Sequence, residues 1–185
     1  AAENEHAAMC LSRLLGIETA DSGLVCFAQS KEFAYLVKRF DRLGGGEKQH
    51  QEDLLQCAGM ATEQKYEGTY EAAGRTLDQV CGGKKAVVLD FIKRVIFSYL
   101  VGNDDLHLKN ISVQRIPGNR GRYYDKLTPN YDVLFVDALT AEPPKGLKLM
   151  ALGLLSDQEG DELHTENFQY YGYYTGYDFL LLATR

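Results

Sequence analysis

The sequence predicts an α+β fold, mostly helical with two short β-hairpins, and three observations carry that expectation. Residues 85–101 form the strongest apolar-periodic run in the chain, the pattern of a long helix buried on most sides. Two pairs of β-rich segments are each joined by a polar or Gly-containing turn, as antiparallel hairpins are. Between the strong helix and the second hairpin lies a polar segment, residues 102–110, at the mouth of a rigid element where functional side chains tend to sit.

Each element has its own signal. Residues 3–15 read as a helix: Glu3 and Glu5 suit its positive end, Ala7, Leu11, Leu14 and Leu15 recur at helical spacing, and Gly16 can stop it. Asp21-Ser22-Gly23 is a turn, and residues 24–28 and 33–40 follow as the first hairpin. Gly44-Gly45-Gly46 is a flexible loop; it lacks the GxxxxGK[ST] pattern and follows no Rossmann-type strand, which argues against a phosphate cradle. Helices are expected over 52–60, 70–80 and 85–101. In the last, Leu89, Ile92, Ile96, Tyr99 and Leu100 line a broad face flanked by Val88, Phe91 and Val95. Residues 111–116 and 122–127 make the second hairpin across Pro117-Gly118-Asn119-Arg120-Gly121. Beyond Asp137 segmentation is weak, with an acidic stretch near Asp157 and a tyrosine cluster at 170–177 that reads as packing and surface aromatics.

Composition bounds the function classes. A chain of 185 residues, 45% hydrophobic and 25% charged, is one globular domain or one large lobe. A net charge of −6 gives no electrostatic case for direct nucleic-acid binding, so DNA is expected only through a partner. Cys10, Cys26, Cys57 and Cys81 form no CxxC and no zinc spacing, and are read as reduced thiols of a cytoplasmic protein. No apolar run approaches the ~18–20 residues of a membrane-spanning helix. No signal peptide is recognisable before the first helix. The start without Met and the apolar finish at Phe179-Leu180-Leu181-Leu182 are read as the ends of a fragment.

The chemistry concentrates in Gly102-Asn103-Asp104-Asp105-Leu106-His107-Leu108-Lys109-Asn110. Asp105 and Asn110 stand five residues apart, the Asp–Asn spacing of a protein-kinase catalytic loop. A carboxylate there can steer the proton of a substrate hydroxyl, while an amide oxygen reaches Mg²⁺. His107 and Lys109 alternate with Leu106 and Leu108, so the two polar side chains are expected on one face of an extended loop. Asp132, in Pro129-Asn130-Tyr131-Asp132, follows Asn110 by 22 residues and is returned by the hairpin as a second metal-binding carboxylate. The plainer alternative is that Asn103-Asp104 only caps or turns the chain, because Asp and Asn are common in loops.

These residues resemble the HipA family, the kinase toxins of bacterial toxin–antitoxin pairs. Asp105-Leu-His107-Leu-Lys109-Asn110 matches its D-x-H-x-K-N loop, and Pro129-Asn-Tyr131-Asp132 its P-x-Y-D motif. Asn4-Glu5, Arg39-Phe40-Asp41-Arg42, Gln51-Glu52-Asp53 and Lys65-Tyr66-Glu67 match further motifs in the same order. The resemblance implies the large lobe of a protein-kinase-like fold across 1–185, acting on ATP with Mg²⁺. Asp105 would be catalytic, and Asn110 and Asp132 would hold the metal. His107 and Lys109 would lie along the phosphates, with Tyr131 near the nucleotide. Lys38, Arg39 and Phe40 would form the adenine-reading hinge, with Asp41 at the ribose; several relatives have Glu where Lys38 stands. The family's phosphate loop and upstream lysine, expected before Asn4, are absent from this sequence, and the helical tail is short. Implied partners are a protein substrate, often in the translation apparatus, and a HipB-like DNA-binding antitoxin. A pseudokinase or antitoxin-docking module is the competing function.

Overall fold

The computed structural model describes residues 1–139 and 150–185, and it has the predicted α+β organisation. Helix α1 (Ala2–Leu14) is followed by an antiparallel hairpin of β1 (Ser22–Cys26) and β2 (Phe33–Val37). Strand β3 (Gln51–Asp53) runs directly into the single-turn α2 (Leu54–Cys57), and helices α3 (Tyr70–Val80) and α4 (Lys85–Leu100) come next. Strands β4 (Ser112–Gln114) and β5 (Lys126–Leu127) pair antiparallel, and β3 joins them, in the order β3-β4-β5. After residue 150 come a small hairpin, β6 (Leu155–Ser156) with β7 (Glu162–Leu163), then α5 (Glu166–Tyr171) and α6 (Gly176–Thr184).

The helix expected over 52–60 is the main departure in the fold. Gln51, Glu52 and Asp53 pair with Gln114, Val113 and Ser112 instead. Asp53 then caps α2: its carboxylate accepts the Gln56 N–H at 2.8 Å, while the Gln56 side chain accepts the Asp53 N–H. One acidic residue thus ends a strand and starts a helix.

Two helix faces also differ from expectation. On α1 the buried residues are Ala8, Met9 and Ser12, whereas Leu11, Leu14 and Leu15 are exposed. Ser12 is inside because its hydroxyl donates to Thr19 Oγ1 at 2.7 Å and accepts the Asn130 amide at 3.1 Å. On α4, Phe91, Ile92, Val95 and Phe97 are buried but Leu89 and Leu100 face out. The buried face of α4 also carries Arg94, whose guanidinium donates to the Thr128 carbonyl at 2.8 Å and to Asp90 at 2.7 Å. Periodicity locates a helix better than it locates the face, because a polar side chain with good partners can go inside.

The main core gathers Leu54, Tyr70, Leu77, Phe91, Val95 and Leu127 around α3 and α4. Part of the apolar finish packs here: Phe179 and Leu182 of α6 are buried, Leu180 is exposed, and the Phe179 ring lies 5.2 Å from Tyr99. A second cluster, with Met9, Ile17, Phe97 and Val133, joins α1 to α4 and receives Phe40 and Tyr131. The four cysteines are free thiols. No helix among the described residues is long and apolar enough to cross a membrane.

The end of α4 matters most for the site. Gly102 adopts φ +68°, and a β-carbon there would lie 2.8 Å from the Phe135 ring. Its carbonyl accepts the Val136 N–H at 3.1 Å, closing the later loop onto the helix end. Gly102→Ala therefore combines an unfavourable backbone conformation with a clash, and should cost about 1–3 kcal/mol. Urea denaturation measures this; an unchanged midpoint would contradict the close approach.

Candidate active site

Two loops build the site, one leaving α4 and one leaving β5. In the first, Asn103 is buried and its Oδ1 accepts the Asp105 N–H at 3.3 Å, so the plainer reading of Asn103 as a turn residue holds at that position. The Asp105 carbonyl accepts the His107 N–H at 2.8 Å and the Asn110 Nδ2 at 3.1 Å. From the core side the Tyr70 hydroxyl donates to the Leu106 carbonyl at 2.9 Å. Residues 108–110 close a single 3₁₀ turn rather than continuing extended. This corrects the alternating pattern: His107 is buried with Leu106 and Leu108, while Lys109 and Asn110 stay partly exposed.

His107 is 6% exposed, and its Nε2 lies 3.1 Å from the Lys65 ammonium. An ammonium only donates, so Nε2 accepts and the network assigns the imidazole proton to Nδ1. That Nδ1 is buried and has no hydrogen-bond partner among the described residues. Burial drives the His107 pKa down against the pull of Asp105, and Lys65 lowers it further. Beside the loop the cation is therefore Lys65, while His107 is a neutral donor.

Lys65 and Tyr66 were legible as a motif but carried no predicted role. The Lys65 carbonyl accepts the Leu108 N–H at 3.1 Å, and the Tyr66 hydroxyl donates to Asp105 Oδ1 at 2.6 Å. That bond pushes the Tyr66 pKa up to about 12.

The second loop is pinned on both sides of Asp132. The Asn130 N–H donates to the Glu18 carbonyl at 2.7 Å, and its carbonyl accepts the Ala20 N–H at 2.9 Å. Tyr131 donates its hydroxyl proton to the Lys109 carbonyl at 3.0 Å and accepts from Ser112 at 2.8 Å. Val133 is fully buried. The Asn4 amide makes two bonds with the Phe135 backbone, 2.9 Å to the carbonyl and 2.8 Å from the N–H. Asp132 itself is exposed, at φ 56°. Few residues other than glycine tolerate that conformation, and Asp is one of them. Burial, with Asp132 adding to it, raises the pKa of Glu5 on α1.

Residues 38–41, expected to form the hinge and meet the ribose, follow β2. Phe40 packs its ring 5.7 Å from Tyr131, which links this segment to the second loop. Lys38 is exposed and pairs with Asp21 at 3.7 Å. Arg39 grips both carboxylate oxygens of Asp41 at 2.8 and 2.6 Å, and this fork holds the Asp41 carboxyl below the usual carboxylate range. Asp41 thus has a local partner that the sequence did not announce.

The donor set suits a hard, oxygen-seeking cation completed by phosphate. Among the described residues no three His, Cys, Asp or Glu side chains converge as a self-sufficient metal site. What exists is an exposed Asp132 carboxylate and an Asn110 amide whose nitrogen is spent on Asp105, leaving its oxygen as acceptor. Mg²⁺ takes one or two such groups and fills the rest of its shell with phosphate oxygens and water.

Comparison with known proteins gives the family and the fold. A family model described as the HipA-like C-terminal domain matches residues 1–173. A putative kinase of Haemophilus influenzae is 35% identical over 191 aligned positions, covering 97% of this chain and 54% of that protein. The serine/threonine-protein kinase toxin HipA of Shewanella oneidensis is 30% identical over 154 positions, covering 72% of this chain and 34% of the toxin. The chain thus spans about half or less of the length of these relatives. Among solved structures, HipA of Shewanella oneidensis, in a complex with HipB and operator DNA, superposes with a TM-score of 0.68 at 26% identity. That match covers 82% of this chain and 38% of HipA. The Helicobacter pylori proinflammatory kinase CtkA shares the fold at 14% identity, with a TM-score of 0.63 over 98% of this chain and 68% of CtkA.

The buried, neutral His107 sets a pH dependence. Unfolded, it takes up a proton below about pH 6.5, while in the fold it does so only at lower pH. The unfolded state therefore binds the proton first, and stability falls as pH drops through that window. His107→Gln should flatten this decline below about pH 6.5, read from urea midpoints. A slope equal to that of the wild type would refute the assignment.

Proposed function

Because the chain belongs to the HipA-like C-terminal domain family, we propose that it is the large lobe of an ATP- and Mg²⁺-dependent serine/threonine protein kinase, completed by an N-terminal lobe that carries the phosphate loop. Kinase-like relatives and kinase structural neighbours give the class. One observation supports the finer reading: the Asn110 amide donates to the Asp105 carbonyl, and Tyr131, next to Asp132, donates to the Lys109 carbonyl, so the loops that carry the three residues are bonded to each other.

In this reading Asp105 accepts the proton of the acceptor hydroxyl as its oxygen bonds to the γ-phosphorus and ADP leaves. Asn110 and Asp132 would hold the magnesium, which would supply neutralisation of the phosphate charge. His107, held at its Nε2 by the Lys65 ammonium, backs the loop along which the phosphates would lie, and Lys65 and Lys109 keep the surroundings cationic. Lys38, Arg39 and Phe40 offer backbone groups to adenine, with Tyr131 supporting the hinge through Phe40. Asp41 meets the ribose from its arginine fork. The substrate is a protein, of the translation apparatus by family resemblance, and the site of action is the cytoplasm. A HipB-like antitoxin, the kind of partner present in the Shewanella complex, is the restraining partner and the route to DNA.

Two measurements test this. With the N-terminal half that the relatives carry, Asp105→Ala should lower phosphoryl transfer by roughly a hundredfold or more; undiminished transfer sinks the catalytic assignment. Calorimetric titration of the same protein with ATP should show magnesium-dependent binding that Asp132→Ala abolishes. Equal binding by wild type and variant would remove Asp132 from the metal site.

A further inference from the structure

We propose that Tyr66 is a positioning residue for phosphoryl transfer: its hydroxyl fixes one oxygen of the Asp105 carboxylate so that the other faces the acceptor. The inference rests on the kinase reading of Asp105. It begins from what the loop leaves undetermined. The Asp105 backbone is held on both sides, its N–H by Asn103 and its carbonyl by the His107 N–H and the Asn110 amide. Those bonds fix where the residue sits, but they leave its carboxylate free to rotate about the side-chain torsions. Among the described residues, the Tyr66 hydroxyl is the group that bonds an Asp105 carboxylate oxygen, Oδ1 at 2.6 Å. An ionised carboxylate has lone pairs on both oxygens, so Oδ2 stays available to an acceptor hydroxyl.

A partly exposed tyrosine positions another group only if it is itself held, and Tyr66 is held through its neighbours. Lys65 binds the same loop twice, through its carbonyl to the Leu108 N–H at 3.1 Å and through its ammonium to His107 at 3.1 Å. The Tyr66 ring stands edge-on to His107 with centroids 5.0 Å apart. Upstream, the Gln64 side chain accepts the Ala61 N–H at 2.9 Å and donates to Glu67 at 2.9 Å, bracing the turn on either side of Tyr66. Three consecutive residues of the loop's far half, Leu106, His107 and Leu108, are thus gripped by the segment 65–70, which includes the Tyr70 hydroxyl on the Leu106 carbonyl. Tyr66 extends that grip to the reacting group. During transfer the acceptor proton passes to Asp105 Oδ2, the acceptor oxygen bonds to the γ-phosphorus, and the bond to the ADP oxygen breaks. Tyr66 exchanges no proton in this step.

The test is Tyr66→Phe in the protein completed by its N-terminal half, with Mg·ATP hydrolysis as the probe. Loss of alignment alone should lower kcat about tenfold, leave KM for ATP within about twofold and leave the melting temperature unchanged. An unchanged or raised kcat overturns the proposal, as does a fall in kcat that comes with a higher KM or a lower melting temperature. A second measurement reads the contact directly. In the chain labelled with ¹³Cζ-tyrosine, the resonance missing from Tyr66→Phe identifies Tyr66, and it should shift in Asp105→Ala. A resonance that stays put shows that the bond is not made and overturns the proposal. Equal hydrolysis by wild type and Asp105→Ala, with the resonance still shifting, sinks the kinase reading itself and reduces Tyr66 to a structural contact.

Discussion

The Tyr131 hydroxyl is the joint on which the two functional loops depend. Because the Lys109 carbonyl can only accept, the phenol must donate there and take its second bond from Ser112. One oxygen therefore fixes the loop that leaves α4, the strand that follows it and the segment that carries Asp132. The ring packs on Phe40, so the segment after β2 is referenced to the same point. Burial raises the phenol pKa, which keeps the donor proton in place. Remove this oxygen and each loop would keep its own anchors but lose its registration with the other.

Much of this was legible because the signals were local. The extents of α3 and α4, the two hairpins and the polar loop between α4 and β4 all follow from periodicity and turn chemistry in contiguous stretches. What escaped was decided by partners distant in sequence. Ser12 is inside α1's packing face because Asn130 reaches it from 118 residues away. Arg94 occupies a place on α4 that periodicity would give to an aliphatic residue, because the Thr128 carbonyl and Asp90 satisfy it. His107 turns inward because Lys65, 42 residues earlier, supplies its partner. The residue types that carry chemistry could be read directly; whether each is charged, neutral, inward or outward depended on contacts that no local pattern encodes.

The interior is correspondingly polar near the working end of the molecule. Asn103, His107, Ser112, Thr128 and Asn130 are all buried there. Acids are buried elsewhere too: Glu71 accepts the Ser156 N–H at 2.9 Å and pairs with Arg185, and Asp178 accepts the Thr175 N–H at 2.6 Å. A well-paired buried polar group adds little net stability, yet it penalises every arrangement that leaves it unpaired. Such groups select one geometry over its near neighbours, as a site assembled from separate loops requires.

The bond pair between Asn4 and Phe135 has a kinetic consequence. Its partners lie 131 residues apart, so the contact forms only after nearly three quarters of the chain exists and its ends have met. Long-range closures of this kind come late, because the entropy of the intervening loop must be lost before the contact contributes anything. During synthesis, the loop that leaves α4 would be made before the segment bearing Asp132. The order of assembly thereby keeps Asp105 apart from Asp132 until the later loop has closed onto α1.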